Sequence, residues 1–243
     1  MYTDNGFWDT FRAVHPLFTL LYPEVSERVT QSILNAYDES GFMPEWASPG
    51  HRECMIGNNS ISLLTDAWMK GIRTICPEKA LEAMIHQTEA RHPGISSVGR
   101  DGFGYYDRLG YVPYPEVHEA TAKTLEYAYV DWCVARFADS IGRKEIADTY
   151  YRKALNYRNL YYPDYGFMWA KDANGKWRDA FDATEWGGPF TEGSSWHWTW
   201  SVLHDPEGLS RLMGGHTAME ARLDSMFTAP NTYNYGTYGF VIH

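Results

Sequence analysis

The sequence predicts a mostly helical protein, an array of antiparallel helix pairs such as a partial α/α toroid. Three observations support this fold class. Apolar residues recur at helical spacing in one segment after another, the intervening loops are long and rich in aromatic residues and glycine, and no short repeat of the tetratricopeptide kind marks a solenoid. With 243 residues, 44% of them hydrophobic, the chain can bury a substantial core.

The predicted helices follow one another along the chain, and several have a local start or stop signal. They cover about residues 8–21, 26–39, 60–71, 77–91, 118–141, 144–160, a segment from 192 or 194 onward, 205–214 and 217–227. Pro23 ends the first helix and Gly41 the second. Pro77 occupies the favoured first position of its helix, and Asp205 is placed as an N-cap. These signals fix the order of the elements.

The periodicity is clearest in residues 118–141 and absent from three long segments. Residues 125, 128, 129, 132, 133 and 136 follow the i, i+3, i+4, i+7 rule and predict one packed stripe. Residues 41–57, 91–115 and 163–188 lack this period and are predicted to be loops. The last of them contains Asn174-Gly175, a turn that can join two short strands.

Composition excludes several classes of function. A net charge of −10 argues against a nucleic-acid partner, which usually requires a basic surface, and no run of about eighteen apolar residues predicts a membrane span. Cys54, Cys76 and Cys133 form no C-x-x-C spacing, so we expect small buried residues rather than a thiolate metal site or a disulfide scaffold. Ten Trp and eighteen Tyr exceed ordinary packing needs and favour a carbohydrate-binding protein.

One stretch, residues 190–200 with the sequence FTEGSSWHWTW, combines a carboxylate with aromatic rings. Indole faces stack on the apolar C–H faces of a sugar, and apolar surroundings can keep a carboxylic acid protonated near neutral pH, so Glu192 is a candidate catalytic acid. The alternative is a helix start with Thr191 as its cap and Glu192 in the first turn. On a helix Trp196 and Trp200 would share a face, and core packing is expected for at least two of the tryptophans.

Eight short stretches, in order along the chain, resemble one known family. They are GFWDTFRAVHPL at 6–17, MIGNNS at 55–60, DAWMKGI at 66–72, TLEYAYVDWC at 124–133, NYRNL at 156–160, GFM at 166–168, TEGSSW at 191–196 and HDPEGLSRLMGG at 204–215. The sequence is identified by these motifs as similar to glycoside hydrolase family 92, the calcium-dependent, inverting, exo-acting α-mannosidases.

The resemblance implies an incomplete (α/α)6 catalytic domain. Family members carry an N-terminal β-sandwich domain before the toroid, and an acidic motif further along the chain than His243 supplies the general base. We expect residues 1–243 to lack that domain, that motif and the C-terminal part of the toroid. The chain is then an internal fragment, inactive by itself, of an enzyme that removes terminal α-linked mannose. Family members are generally exported, which implies a periplasmic or extracellular protein. Calcium is the implied cofactor, with no ligand assigned to a residue of this chain.

The resemblance also assigns roles to individual residues. Glu192 matches the general acid. Asp9, next to Trp8, resembles the aspartate that holds sugar hydroxyls; the alternative is a helix cap with Thr10 and Arg12 as partners. Arg12 is either the ion-pair partner of Asp9 or a second sugar contact.

Four further positions, Asn58, Asn59, Trp196 and His243, complete the predicted site. Asn58 and Asn59 lie where the family has a polar Asn–His pair, with Asn59 replacing that histidine. Trp196 is a candidate sugar-stacking residue. His197 replaces an expected glutamine and is predicted to be structural. His243 resembles the first half of a His–Glu pair in members that prefer α-1,2 links.

Two other functions remain open at this point. A carbohydrate-binding or scaffold protein would keep the aromatic pocket without the chemistry. Another α/α-toroid glycosidase, of the trehalase or glucoamylase kind, would share a cleft with tryptophan and an acid but would not need calcium. In each case the expected partner is a glycan, containing mannose if the family resemblance holds.

Overall fold

The computed structural model describes residues 5–230 and 232–235. These residues are mainly helical, and their paired strands form two separate two-stranded sheets. The chain divides into two compact units, which we describe separately. Unit 1 comprises Met1–Phe103 and Val130–Ala154, and unit 2 comprises Gly104–Tyr129 and Leu155–His243.

Unit 1 contains the first five helices and the eighth. They are α1 (Phe7–Thr10), α2 (Val14–Leu21), α3 (Pro23–Ser40), α4 (Asn59–Met69), α5 (Pro77–Glu89) and α8 (Lys144–Lys153), with the second half of α7 (Ala120–Ser140). Strands β1 (Asn5–Gly6) and β2 (Trp46–Ala47) pair antiparallel, Gly6 opposite Trp46. This pairing fixes the start of α1 against the chain that precedes α4.

Helix α3 buries one apolar face. Val29, Ile33 and Leu34 are buried while α3 packs against α2, α4 and α5. Gly41 then stops the helix with a φ of 80°, a left-handed conformation that glycine adopts without a steric penalty. Helix α2 differs, because several of its apolar side chains lie in solvent. These are Val14, Leu17, Leu20 and Leu21.

Helix α7 is buried on almost every side, so its predicted stripe was too narrow. Leu125, Ala128 and Cys133 are buried as expected. The other three residues of the predicted stripe are only half-buried: Tyr129, Trp132 and Arg136. A helix that packs all round carries apolar residues on every face, which blurs a one-sided pattern.

Unit 2 holds the remaining elements. They are most of α6 (Phe103–Leu109), the first half of α7, a 3-10 helix (Asn156–Leu160), α9 (Ser195–Trp198), α10 (Pro206–Met213) and α11 (His216–Thr228). Strands β3 (Tyr161–Tyr162) and β4 (Phe167–Met168) pair antiparallel. The Asn174-Gly175 turn is present, but it joins a single bridge between Lys171 and Trp177, and the paired strands lie earlier in the chain.

Two predicted helices are interrupted in the structure. Residues 8–21 form α1 and α2, because Pro16 has no N–H to donate to the Arg12 carbonyl and its ring would clash with that carbonyl in a continuous helix. At the break the Arg12 side chain donates to the Trp8 carbonyl. Residues 144–160 form α8 and then the 3-10 helix. Asn156 and Asn159 disfavour an α-helix there, and Asn159 donates instead to the Gly110 carbonyl.

One predicted loop contains a helix. Within residues 91–115, α6 runs from Phe103 to Leu109 between two glycines with left-handed backbone, Gly102 at φ 77° and Gly110 at φ 73°. Seven residues, one of them Gly104, are too few to show a helical period.

The cysteines differ from one another. Cys133 is buried as predicted, but Cys54 is half-buried and Cys76 is exposed at the N-cap of α5, so burial is not their common role. Within residues 5–230 and 232–235, no helix has the length and apolar character to cross a membrane.

Candidate active site

Glu192 lies on a short loop of unit 2, between Phe190 and helix α9. Its side chain is exposed, so the tryptophans of the stretch do not enclose it as the sequence predicted. Its backbone has a φ of 42°, in the left-handed region that residues with a side chain rarely adopt. Such strain persists only where the surrounding structure enforces it, and it is concentrated at functional sites.

Hydrogen bonds hold the peptide groups on both sides of Glu192. The Trp198 indole N–H donates to the Thr191 carbonyl at 2.8 Å, and the Gly187 N–H donates to the Gly193 carbonyl at 2.9 Å. A Cβ atom at Gly193 would lie 3.0 Å from the Trp198 indole nitrogen, so a side chain there would require the indole to shift slightly. The loop is therefore fixed in place while its carboxylate faces solvent.

Helix α9 begins after this loop, which removes the helix-start alternative for Glu192. Ser194 is the N-cap, and the His197 ring completes a capping box with it: Nδ1 accepts from the Ser194 N–H at 3.2 Å. Burial lowers the pKa of His197, which favours the neutral ring that this contact requires. Thr191 is buried and precedes the cap, so it does not cap the helix.

The tryptophans have different environments. Trp198 is buried and supports the loop, as described above. Trp196 is half-buried, with its ring centroid 4.7 Å from that of Phe167. Trp200 lies beyond the end of α9, so the argument that Trp196 and Trp200 share a helical face does not apply. Of these three, Trp196 and Trp200 keep surface for a ligand.

In unit 1, Asp9 is exposed in the first turn of α1, and Gly6 rather than Asp9 occupies the N-cap. Arg12 does not pair with Asp9: its guanidinium lies 4.7 Å from the ring centres of both Trp8 and Phe11. Within the described residues no hydrogen bond or ion pair engages the Asp9 carboxylate. The helix-cap alternative is wrong, and Asp9 keeps its full capacity to accept hydrogen bonds from a ligand.

Asn58 and Asn59 were predicted to contact substrate, and the structure places them in the core instead. Asn58 has no exposed surface; its Nδ2 donates to the Gly99 carbonyl at 2.9 Å and its Oδ1 accepts from Arg100 at 3.0 Å. Arg100 in turn pairs with buried Asp131 at 2.8 Å. Asn59 is 1% exposed. Additional chain can only increase burial, so these amides serve the interior.

Sequence reasoning missed Glu45, a carboxylate that is buried and has no cationic partner among the residues that the structure describes. It accepts hydrogen bonds from the Ser60 N–H at 3.2 Å, the Ser60 hydroxyl at 2.9 Å and the Gln87 amide at 2.9 Å, at the start of α4. Its own carbonyl accepts from the Phe7 N–H at 3.0 Å, which ties α1 to this network. Burial raises the pKa of Glu45 to about 8, against these hydrogen bonds, which lower it. The only sequence signal was an acid within FMPEW.

Two predicted features fall outside this geometry. His243 lies outside the described residues. Among the residues that are described, no three His, Cys, Asp or Glu side chains gather where one metal ion could be held. The residues present therefore do not form a carboxylate-based calcium site, and no role below depends on calcium.

A mainly helical domain with an exposed, rigidly held carboxylate beside tryptophans is an arrangement found among carbohydrate-cleaving enzymes. Residues 1–241 match the model of the Glycosyl hydrolase family 92 catalytic domain, and the chain belongs to this family of glycoside hydrolases. The predicted fold class, a partial (α/α)6 toroid, is confirmed by the structural match to a GH92 enzyme.

Three relatives illustrate the match. A GH92 inverting mannosidase from Bacteroides thetaiotaomicron is 84% identical with a TM-score of 0.93, over 99% of this chain and 33% of that one. A GH92 α-mannosidase from the same organism, solved in complex with mannoimidazole, is 33% identical with a TM-score of 0.86, over 93% and 30%. An uncharacterized secreted glycosidase of Arthroderma benhamiae is 26% identical, over 79% of this chain and 29% of that protein. The chain thus spans about a third of the length of these relatives.

Proposed function

We propose that this chain carries the general acid, Glu192, of an inverting α-mannosidase that removes terminal α-linked mannose from glycans, with α-1,2 links as the expected substrate. The single observation that carries this assignment is the Glu192 loop, a solvent-facing carboxylate on a strained backbone held by hydrogen bonds on both sides. The family and the mannosidase and mannoimidazole-bound relatives support the substrate class.

The chemistry requires two carboxyl groups on opposite faces of the sugar. Water attacks the anomeric carbon, the bond to the departing oxygen breaks with its electron pair on that oxygen, and Glu192 gives that oxygen its proton. A second carboxylate takes a proton from the attacking water. We assign no residue of this chain to that base, and we propose that the full-length protein supplies it, so that the chain alone is inactive.

The remaining assignments concern binding. Asp9 accepts hydrogen bonds from mannose hydroxyls, because its carboxylate is exposed and no described residue engages it. Trp8 and Trp196, both half-buried, offer ring surface for stacking on the sugar, and Arg12, held over the Trp8 ring, fixes that ring. Asn58 and Asn59 are left out of the substrate site because they are buried.

We further propose that the full-length protein uses calcium and is exported. The calcium proposal rests on the family resemblance alone, because the described residues gather no carboxylate ligand set. Export is supported by the secreted glycosidase to which the chain is similar.

The test compares two substrates in the full-length protein. In α-mannobiose the departing sugar needs a proton, whereas in α-mannosyl fluoride the fluoride ion leaves without one. Glu192→Gln should therefore lower kcat/KM on mannobiose by roughly 10²–10⁴-fold, the range that general acid catalysis supplies, and spare the fluoride. Glu207→Gln is the matched control, since Glu207 is an exposed acid of α10 that pairs with Arg211.

Each other outcome has a distinct meaning. If Glu192→Gln lowers both activities equally, Glu192 is not the acid. If the wild type binds mannose without cleaving mannobiose, a carbohydrate-binding function replaces the proposal. Mannobiose hydrolysis that persists with a calcium chelator would contradict the calcium proposal alone.

A further inference from the structure

Four aromatic rings gather beside the Glu192 loop, and no role is assigned to them above except the helix cap made by His197. This aromatic cluster consists of Trp186, His197, Tyr233 and Tyr235. Trp186 lies 4.9 Å from His197, 5.6 Å from Tyr233 and 6.0 Å from Tyr235, measured between ring centroids. Tyr233 also lies 5.4 Å from His197 and 6.0 Å from Tyr235. The cluster is therefore one continuous group.

The rings of the aromatic cluster do not stack face to face on one another, so their faces remain partly uncovered. The five ring pairs meet at interplanar angles between 39° and 84°, so none is stacked face to face and no ring covers the whole face of another. Trp186, Tyr233 and Tyr235 are half-buried and His197 is exposed. These partly exposed rings keep apolar surface in contact with water, which is unfavourable in free energy, and a ligand that covers the rings removes that contact.

Backbone hydrogen bonds hold the cluster and the Glu192 loop in one frame. The Trp186 N–H donates to the Asn234 carbonyl at 2.8 Å, and the Asn234 N–H donates to the Thr184 carbonyl at 3.1 Å. The next residue, Gly187, donates to the Gly193 carbonyl, directly after Glu192. Trp186 is thus bonded to the segment that carries Tyr233 and Tyr235, and the adjacent Gly187 is bonded to the Glu192 loop.

The alternation of side chains along residues 233–235 agrees with this placement. In extended chain, residues two apart point to the same face and the residue between them points to the other. Tyr233 and Tyr235 both contact Trp186, whereas the Asn234 amide reaches Asp182 at 3.4 Å. Both tyrosines are therefore presented together on the side of Trp186.

We infer that the aromatic cluster binds the departing sugar of the substrate, the ring on the far side of the bond that is cleaved. This inference rests on the proposed function of Glu192. The acid must reach the glycosidic oxygen, which is bonded directly to the departing sugar, so that sugar lies next to the Glu192 loop. Partly exposed indole and phenol rings there match the C–H faces of a pyranose, and the tyrosine hydroxyls match its hydroxyl groups.

The experiment measures kcat/KM of the full-length protein on α-mannobiose and on α-mannosyl fluoride, which has no departing sugar. Tyr233→Ala and, separately, Tyr235→Ala should lower the mannobiose-to-fluoride ratio by roughly tenfold, the effect of losing one aromatic contact. Tyr233→Phe keeps the ring and should restore most of the ratio. Tyr165→Ala is the control, because Tyr165 is an exposed tyrosine of unit 2 that stacks on Phe181 instead.

The two activities separate binding from folding. Damage to the fold lowers kcat/KM on both substrates together and leaves the mannobiose-to-fluoride ratio unchanged. If that ratio is unchanged in both Tyr233→Ala and Tyr235→Ala, the inference is overturned. A ratio that falls in Tyr165→Ala to the same extent also overturns it. The same assay distinguishes the two proposals. If Glu192→Gln lowers the mannobiose-to-fluoride ratio but the tyrosine variants do not, only the role of the aromatic cluster is refuted. If Glu192→Gln leaves the ratio unchanged, the acid assignment is refuted.

Discussion

Glu45 makes the stability of the full-length protein depend on pH in a direction opposite to that of most carboxylates. Because burial raises the pKa of Glu45 from 4.5 to about 8, the folded state holds this proton more tightly than the unfolded state does. The contribution of Glu45 to stability is therefore complete below pH 4.5 and is lost as the pH rises towards 8. At 1.36 kcal/mol per pH unit the full loss is at most about 5 kcal/mol.

The perturbation is Glu45→Gln, a side chain of nearly the same shape that carries no charge at any pH. The assay is the thermal midpoint of the full-length protein between pH 5 and pH 8, for the wild type and the variant. As the pH rises from 5 to 8, the thermal midpoint of the wild type should fall relative to that of Glu45→Gln. The two midpoints should be most alike near pH 5. Glu82→Gln, at an acid of α5 that lines the outer surface beside Tyr37, is the control.

Parallel curves for the wild type and Glu45→Gln would refute the reasoning. They would mean that the hydrogen bonds from Ser60 and Gln87 compensate fully for burial and that the carboxylate is ionised throughout. A variant that becomes relatively less stable as the pH rises would refute it more strongly, because the sign of the linkage would be reversed.

Two further predictions concern single carboxylates, one exposed and one that caps a helix. Asp9→Asn should reduce kcat/KM on mannobiose by at least tenfold without lowering the thermal midpoint, since Asp9 is exposed and makes no contact within the described residues; a lower midpoint would show a structural role. Asp205→Ala should destabilise the protein by about 1–2 kcal/mol, because it caps α10 through the Gly208 N–H at 2.8 Å and accepts from Tyr157 at 2.7 Å. Burial raises the pKa of Asp205, but the hydrogen bonds from Tyr157 and Arg158 outweigh burial, and the net pKa is lowered. The difference in stability between the wild type and Asp205→Ala, measured by urea unfolding, should therefore shrink as the pH falls below about 4.

The elements that could be predicted from the sequence are those with local causes. Gly41 ends α3, Pro77 begins α5 and Asp205 caps α10, and in each case the interacting backbone lies within four residues. At residues 8–21 the apolar pattern alone continues the helix too far, past Pro16, which cannot donate the hydrogen bond that a continuous helix needs.

Burial of polar side chains could not be predicted, because the partners are distant in sequence. The Gln87 amide that meets Glu45 is 42 residues away, and the Gly99 carbonyl that accepts from Asn58 is 41 residues away. A polar motif near a helix start is compatible with a ligand site or with an interior network, and only the packing of the chain distinguishes them. For Asn58 and Asn59 the interior network is what the structure shows.

The sequence by itself determined the helical class, the order of most of the helices, the family and Glu192 as the candidate acid, because caps, periodicity and motifs are recorded in neighbouring residues. Only the tertiary structure decided that Glu192 faces solvent on a strained backbone, that Asn58 is buried while no described residue engages Asp9, and that Tyr233 and Tyr235 contact Trp186. These properties depend on which distant segments meet, and hydrogen bonds and burial between such segments are set by packing in three dimensions.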